Sequence, residues 1–288
     1  MRLIHAELIK MRHRTMTYVL LATQIGVMAF VFVVVGLIVG PLLAGVRDLP
    51  LGETLVPLRA SGAIVGDFVF GGLGSLLAVI YAGAMVGADY SWGVVRNPIA
   101  RGESREVYML AKAVAIGLVV ALGAAIAFVA GMLMVVITAL TAGLDLGGFT
   151  LDTLLQLVGG WGLGTLVLLE RAAIAIAVAT LLRSQLAGIV VAIVLYVAEP
   201  IIANVAMAVG QFGQLFTPGA TPAVHWSQFL PFSVGSSVLN EGYVALPALM
   251  GEMFVANVPL VQAVPVVLAY GAAAIGLAML VMRRQELT

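Results

Sequence analysis

Residues 108–140 read YMLAKAVAIGLVVALGAAIAFVAGMLMVVITAL, a run broken by a single charge at Lys112. Crossing the hydrocarbon layer of a bilayer as a helix takes about 20 apolar residues. Tyr108–Leu140 exceeds that and is long enough to tilt or to extend beyond the bilayer. Five other stretches also qualify: Tyr18–Gly40, Phe68–Ala88, Leu154–Leu182, Leu186–Val209 and Val261–Met282. The pattern predicts an all-α membrane protein with six transmembrane helices in one domain, residues 1–288. Glycine and alanine recur through every run, which suits close helix packing in lipid. Gly71, Gly72 and Gly74 in the second run, and Gly159, Gly160, Gly162 and Gly164 in the fourth, form the densest small-residue faces.

Composition points the same way. Of the 288 residues 62% are hydrophobic and 10% charged, against roughly 45–50% and about 25% in soluble domains. So few charges cannot coat a water-facing surface. The net charge is zero, which gives no general attraction to nucleic acid. Cysteine is absent, which removes disulfides, thiolate metal sites and cysteine nucleophiles. The first apolar run is longer than the core of a cleaved signal and lacks a small-x-small exit, so it reads as a retained span.

Lysine and arginine set the orientation. Arg2, Lys10, Arg12, Arg14, Arg96, Arg101, Arg105, Lys112, Arg183, Arg283 and Arg284 fall on one side of this arrangement, and Arg47 and Arg59 on the other. The basic side is expected in the cytoplasm, with both termini there and the chain in the plasma membrane. Ahead of the first span, Met1, Ile4, Leu8 and Met11 recur at helical spacing in residues 1–15, with basic residues between them. This predicts an amphipathic helix lying in the inner interface. Residues 210–260 are long and still apolar, with Trp226, Phe229, Leu230 and Phe232, and are broken by Pro218, Pro222, Pro231, Pro247 and Pro259. They predict short helices that re-enter the outer leaflet.

The polar segment between the second and third spans, residues 89–107, carries Trp92, Val95 and Ile99 at near-helical spacing among Arg96, Arg101, Glu103 and Arg105. An aromatic anchor with a charged rim suits a docking element; a loop with Trp92 among the headgroups suits it equally.

Together with the N-terminal Glu7-Leu8-Ile9-Lys10, this segment resembles the permease subunits of ABC-2 type ABC exporters. The matching positions are Gly93, Arg96, Pro98, Arg101 or Arg105, and Lys112; the departures are Asp89, where the family has Glu, and Val94, where it has Thr. The resemblance implies a permease dimer seated on ABC ATP-binding subunits, with ATP and magnesium bound by those partners and no cofactor in this chain. It makes the N-terminal helix an elbow and residues 89–107 the coupling segment, with Trp92, Arg96, Asn97, Pro98, Arg101, Glu103 and Arg105 facing the ATPase. The expected cargo is hydrophobic or amphipathic.

Catalytic patterns are weak. The lysines are Lys10 and Lys112, and neither follows the glycine-rich loop that holds nucleotide phosphates. An intramembrane enzyme remains an alternative through Ser236 or Ser237 with His225 as base, as does a non-transporting anchor or sensor. No metal-binding histidine pair is present.

Four polar residues inside the spans stand out. Glu170 and Arg171 each cost roughly 2.5–3.5 kcal/mol at a helix centre. They are adjacent, so they point about 100° apart and each needs a partner elsewhere. Glu199 precedes Pro200, which removes a helix donor and predicts a kink, and Asn204 follows one turn later. The four are expected to line a polar path or a subunit interface, or else to fix helix register.

Overall fold

The computed structural model describes residues 2–34, 58–95, 99–100, 102–142, 150–215, 225–242 and 258–285, and its regular structure is helical throughout. A short helix α1 (Arg2–Arg12) leads into α2 (Thr15–Val34). Helices α3 (Leu58–Phe70) and α4 (Gly72–Ser91) follow, then α5 (Arg105–Ala142), α6 (Leu151–Leu182) and α7 (Gln185–Leu215). A 3-10 turn (Trp226–Phe229), α8 (Pro231–Gly242) and α9 (Leu260–Arg284) complete the described chain. Six helical stretches are long and apolar enough to cross a membrane: Thr15–Val34, Ser61–Ser91, Arg105–Leu140, Leu151–Leu182, Gln185–Val209 and Leu260–Arg284. They coincide with the six expected from sequence.

The outer face of α5 shows why lipid is the natural solvent. Val107, Leu110, Val114, Leu118, Leu122, Ile126, Val129, Leu133, Ile137 and Leu140 are all exposed. They recur every three or four residues and so form one apolar stripe along the helix. Helix α7 exposes a similar set from Leu186 to Val209. Apolar surface this continuous marks a membrane or a partner.

Helix α6 is the most deeply buried span, and packs against α3, α4, α5, α7, α8 and α9. Small residues make this possible. Ala172, Ala173, Ala175, Ala177 and Ala179 are buried, and the Phe70 ring lies where Gly164 would carry a side chain. At the crossing of α4 and α7, a Cβ on Gly87 would come 2.5 Å from the Gln185 Cα, so only glycine fits. Helices α6 and α7 join through Arg183, whose φ of 51° makes a left-handed cap with its N–H on the Ala179 carbonyl.

The second span is not one unbroken helix. It is interrupted at Gly71, between α3 and α4. Gly71, Gly72 and Gly74 read from sequence as a packing face; Gly71 instead marks the break, and Gly72 faces open space. Helix α7 runs on through Pro200.

The amphipathic N-terminal helix is present, but its apolar edge faces protein. Met11 is buried, Ile4 and Leu8 pack against the core, and α1 lies along α5. Both ends of the described chain reach the same end of the bundle. There Arg105 Nη1 donates to the carbonyl of Gln285, Gln285 Nε2 donates to the Thr180 carbonyl at 3.0 Å, and Lys10 meets Asp89.

Candidate functional site

Two polar clusters stand out in this apolar bundle. The first closes the end that holds the termini. Asp89, in the last turn of α4, is buried and surrounded by donors from three other elements. Lys10 Nζ lies 2.6 Å from its Oδ1, Arg14 Nη2 3.2 Å from the same oxygen, and the Tyr108 hydroxyl donates to Oδ2 at 2.7 Å. Lys112, 2% exposed, pairs with Asp89 and also reaches Glu7 Oε2 at 3.0 Å. Lys10 closes the ring with Glu7 at 3.6 Å. Two carboxylates thus face two ammoniums and a guanidinium, with a phenol as a further donor. Burial, helped by the nearby Lys112 charge, holds the Lys10 ammonium below the usual lysine range despite the pull of Asp89 and Glu7. Paired charges of this kind tolerate burial only because each is hydrogen-bonded to the others. Every member except Tyr108 belongs to a motif or charge named from sequence.

Some of the residues expected from sequence to form a coupling segment adjoin this cluster. Trp92 is the cap residue of α4 and is exposed, with the Arg14 guanidinium 4.9 Å from its ring centre. Gly93 follows at φ +66°, a conformation that ends the helix cheaply only for glycine. Val95 is buried and Ile99 packs against the core, so of the three apolar residues read as a docking face only Trp92 projects outward. Glu103 is exposed. Arg105 is committed to the Gln285 carbonyl. Arg96, Asn97, Pro98 and Arg101 lie outside the described residues.

The second cluster surrounds Arg171 at the break in the second span. Arg171 is buried on α6. Its Nη1 donates to the Phe70 carbonyl at 3.1 Å and to the Ser75 hydroxyl, and its Nη2 to the Phe232 carbonyl at 3.4 Å and Ser236 Oγ at 3.3 Å. Ser75 Oγ also donates to the Phe70 carbonyl, and the Tyr196 hydroxyl donates to the carbonyls of Gly71 and Gly72 at 3.1 and 3.0 Å. The carbonyls exposed by the break are therefore answered by side chains from α4, α6 and α7. Irregular backbone at membrane depth requires this. The Arg171 guanidinium also lies 5.6 Å from the Tyr196 ring centre.

Glu199, on α7, serves the same region differently. Its carboxylate accepts from the Phe232 N–H at 2.9 Å and from the Ser233 N–H and hydroxyl at 3.0 Å each. A carboxylate at a helix N-terminus meets free N–H groups and the positive end of the dipole. Arg171 and Glu199 together clamp the start of α8. Glu170 joins neither. It is buried beside Gly271 of α9, and neither carboxylate oxygen has a hydrogen-bond partner among the described residues. Asn204 is exposed on α7, away from the clamp. The four intramembrane residues are thus placed differently: Arg171 and Glu199 hold α8, Glu170 is buried with no hydrogen bond among the described residues, and Asn204 is exposed on α7.

The serine–histidine pairing behind the enzyme alternative is not assembled. His225 Nδ1 bonds to Ser227 Oγ at 2.8 Å, and Ser227 Oγ bonds to the Ala203 carbonyl. Ser236 and Ser237 bond to carbonyls of their own helix. Among the described residues no group of three or more metal-ligating side chains comes together.

Comparison with family models, curated proteins and solved structures found no match. The functional reading therefore rests on the chain's own geometry. Sequence reading missed Ser75 and Tyr196, because single hydroxyls inside apolar runs give no periodic signal, and it marked Ser236 only as a candidate nucleophile. The Gly71-Gly72 pair was the visible hint of the break.

Proposed function

We propose that the chain is the membrane-spanning permease subunit of an ABC-2 type exporter, driven by ATP that partner subunits bind with magnesium and hydrolyse. The observation that carries this reading is the buried cluster of Glu7, Lys10, Arg14, Asp89, Tyr108 and Lys112. Glu7, Lys10 and Lys112 are residues on which the family resemblance rests, and Asp89 stands where the family has Glu. Physically, the cluster bolts the N-terminal helix to the ends of α4 and α5. The segment that leaves α4 at Trp92 is thereby tied to three helices at once. A push on that segment moves the elbow and two spans as a unit, which is what a coupling element requires.

In this reading the cluster end faces the cytoplasm of a plasma-membrane protein, and α1 lies at the inner interface. Residues 89–107 dock on the ATPase through Trp92, Arg96 and Arg101. The stretch around α8 re-enters from the outer side and caps the exit, held by Arg171 and Glu199. Two permeases, identical or homologous, form the path for a hydrophobic or amphipathic cargo. Coupling demands that ATP-bound and ATP-free partners contact the segment differently.

The absence of cysteine makes a direct test simple. Glu103→Cys places one thiol on the exposed segment. It should react with an impermeant maleimide in inside-out vesicles only, and a bifunctional reagent there should capture an ATP-binding protein. Labelling from the external face, or capture of no nucleotide-binding partner, contradicts the proposal.

A further inference from the structure

A cavity of about 350 Å³ opens on the outer surface of the bundle between α2, α4 and α5, with α1 closing one end. Its rim is formed by Tyr18, Leu122 and Ile126, all exposed, and its floor includes Val69, Ala78 and Leu168. At the α1 end stands Arg12. Its side chain is exposed and makes no ion pair among the described residues, in contrast to neighbouring Lys10 and Arg14, which are held by Asp89. Along the wall lies Gln24, about 13 Å deeper by helical rise from the start of α2. It is 6% exposed; its Nε2 donates to the Phe68 carbonyl at 2.8 Å, and its Oε1 has no partner among the described residues.

From this arrangement we infer that the cavity is a binding site for an anionic membrane amphiphile, whose acidic head pairs with Arg12 and whose acyl chain fills the space beneath. The fit is one of polarity along an axis. A cation stands at the headgroup end of a span, the walls below it are apolar apart from Thr17, Gln24 and Tyr81, and the opening faces the lipid rather than water. A water-soluble ligand would meet no polar floor, and a zwitterionic lipid gains less from an unpaired guanidinium than an anionic one does. None of the residues that form the two polar clusters lines the cavity, and the site does not rest on the transport reading.

Gly123 supplies the occluding variant. It lines the cavity, and a Cβ built there meets no atom within 4 Å, so the side chain of Gly123→Leu starts in open space and occupies part of the cavity. The test reconstitutes the full chain in phosphatidylcholine vesicles containing a minor fraction of phosphatidylglycerol with a diazirine in its acyl chain. Irradiation and peptide mapping follow. Adducts should concentrate on residues 17–24 and 119–127, fall several-fold in Gly123→Leu, and fall in Arg12→Gln for this probe but not for a phosphatidylcholine probe. Arg12 is exposed and makes no ion pair among the described residues, so its replacement keeps the test decisive if Gly123→Leu fails to fold. Adducts spread evenly over the apolar faces of α5 and α7, or labelling indifferent to Arg12→Gln, would overturn the assignment. Cross-links between two copies of the chain at this cavity in place of lipid adducts would do the same.

Discussion

Lys10 and Asp89 meet at 2.6 Å although 79 positions separate them, joining the N-terminal helix to the end of the second span. Asp89 is also the anion that Lys112 and Arg14 share. Replacing it with Asn leaves the buried Lys112 with Glu7 as its one carboxylate. Breaking a buried charge pair on one side costs about 3–5 kcal/mol. Asp89→Asn is therefore expected to lower the unfolding midpoint in detergent markedly, and the double variant Asp89→Asn with Lys112→Met to recover part of the loss. Equal stability of the single variant and the parent would show that the cluster holds nothing.

The Arg171 guanidinium answers backbone and hydroxyl oxygens on two sides, Phe70 and Ser75 on one and Phe232 and Ser236 on the other. An ammonium cannot span both, because lysine lacks the planar fork. Arg171→Lys and Arg171→Gln should both destabilise, by about 3 kcal/mol given hydrogen bonds to a charged donor of roughly 1.5–3 kcal/mol each. Glu170→Gln breaks no hydrogen bond seen among the described residues and should leave the melting curve nearly unchanged. Parallel thermal unfolding of the three variants checks this contrast between two adjacent residues.

Glu199 caps α8 from a different helix. Its removal in Glu199→Ala frees two backbone donors, a loss of about 1–2 kcal/mol by analogy with other N-caps. The effect should be local. Amide exchange is expected to speed up in the peptide covering residues 226–242 and to stay unchanged at the Asp89 cluster. Uniformly faster exchange would mean that Glu199 supports the whole bundle instead.

The α4–α7 crossing depends on Gly87. A Cβ there would approach the Gln185 Cα to 2.5 Å, against backbone that cannot rotate aside. Gly87→Val should cost at least the 1–3 kcal/mol typical of overpacking. At Gly123, with open space around it, the same change should be tolerated. Expression and monodispersity of the two variants compare them directly.

How much of this was legible in the sequence depended on periodicity. The six spans could be read because twenty-residue apolar runs have few alternative meanings, and α1 because Ile4, Leu8 and Met11 keep helical spacing. The surface that α1 covers could not be read: an apolar edge suits lipid and protein equally, and here it packs on α5. Glu7, Lys10 and Lys112 were marked through motif order, yet nothing local shows that they converge on Asp89, since their meeting is set by how α1, α4 and α5 cross. Glu170 and Arg171 were conspicuous as intramembrane charges, but their neighbours in space, Ser75, Tyr196 and Gly271, come from other helices. The different fates of the pair followed only from packing. Asn204 was singled out for its closeness to Pro200 in sequence, and its helix turns it outward.

The proposal that residues 89–107 dock on an ATPase predicts a separable effect. Arg96→Glu reverses a charge on the proposed coupling segment. It should leave the protein folded while separating ATP hydrolysis by the partner from transport. Coupled transport at the parental rate in a folded Arg96→Glu protein would remove Arg96 from the docking surface.

The most direct test of the central claim is purification of the tagged chain from its native membrane in mild detergent, with identification of bound proteins and an ATPase assay on the eluate. The account predicts a stoichiometric ATP-binding subunit and ATP hydrolysis that is lost when that subunit is removed. A chain that elutes without a nucleotide-binding partner and without ATPase activity would contradict it.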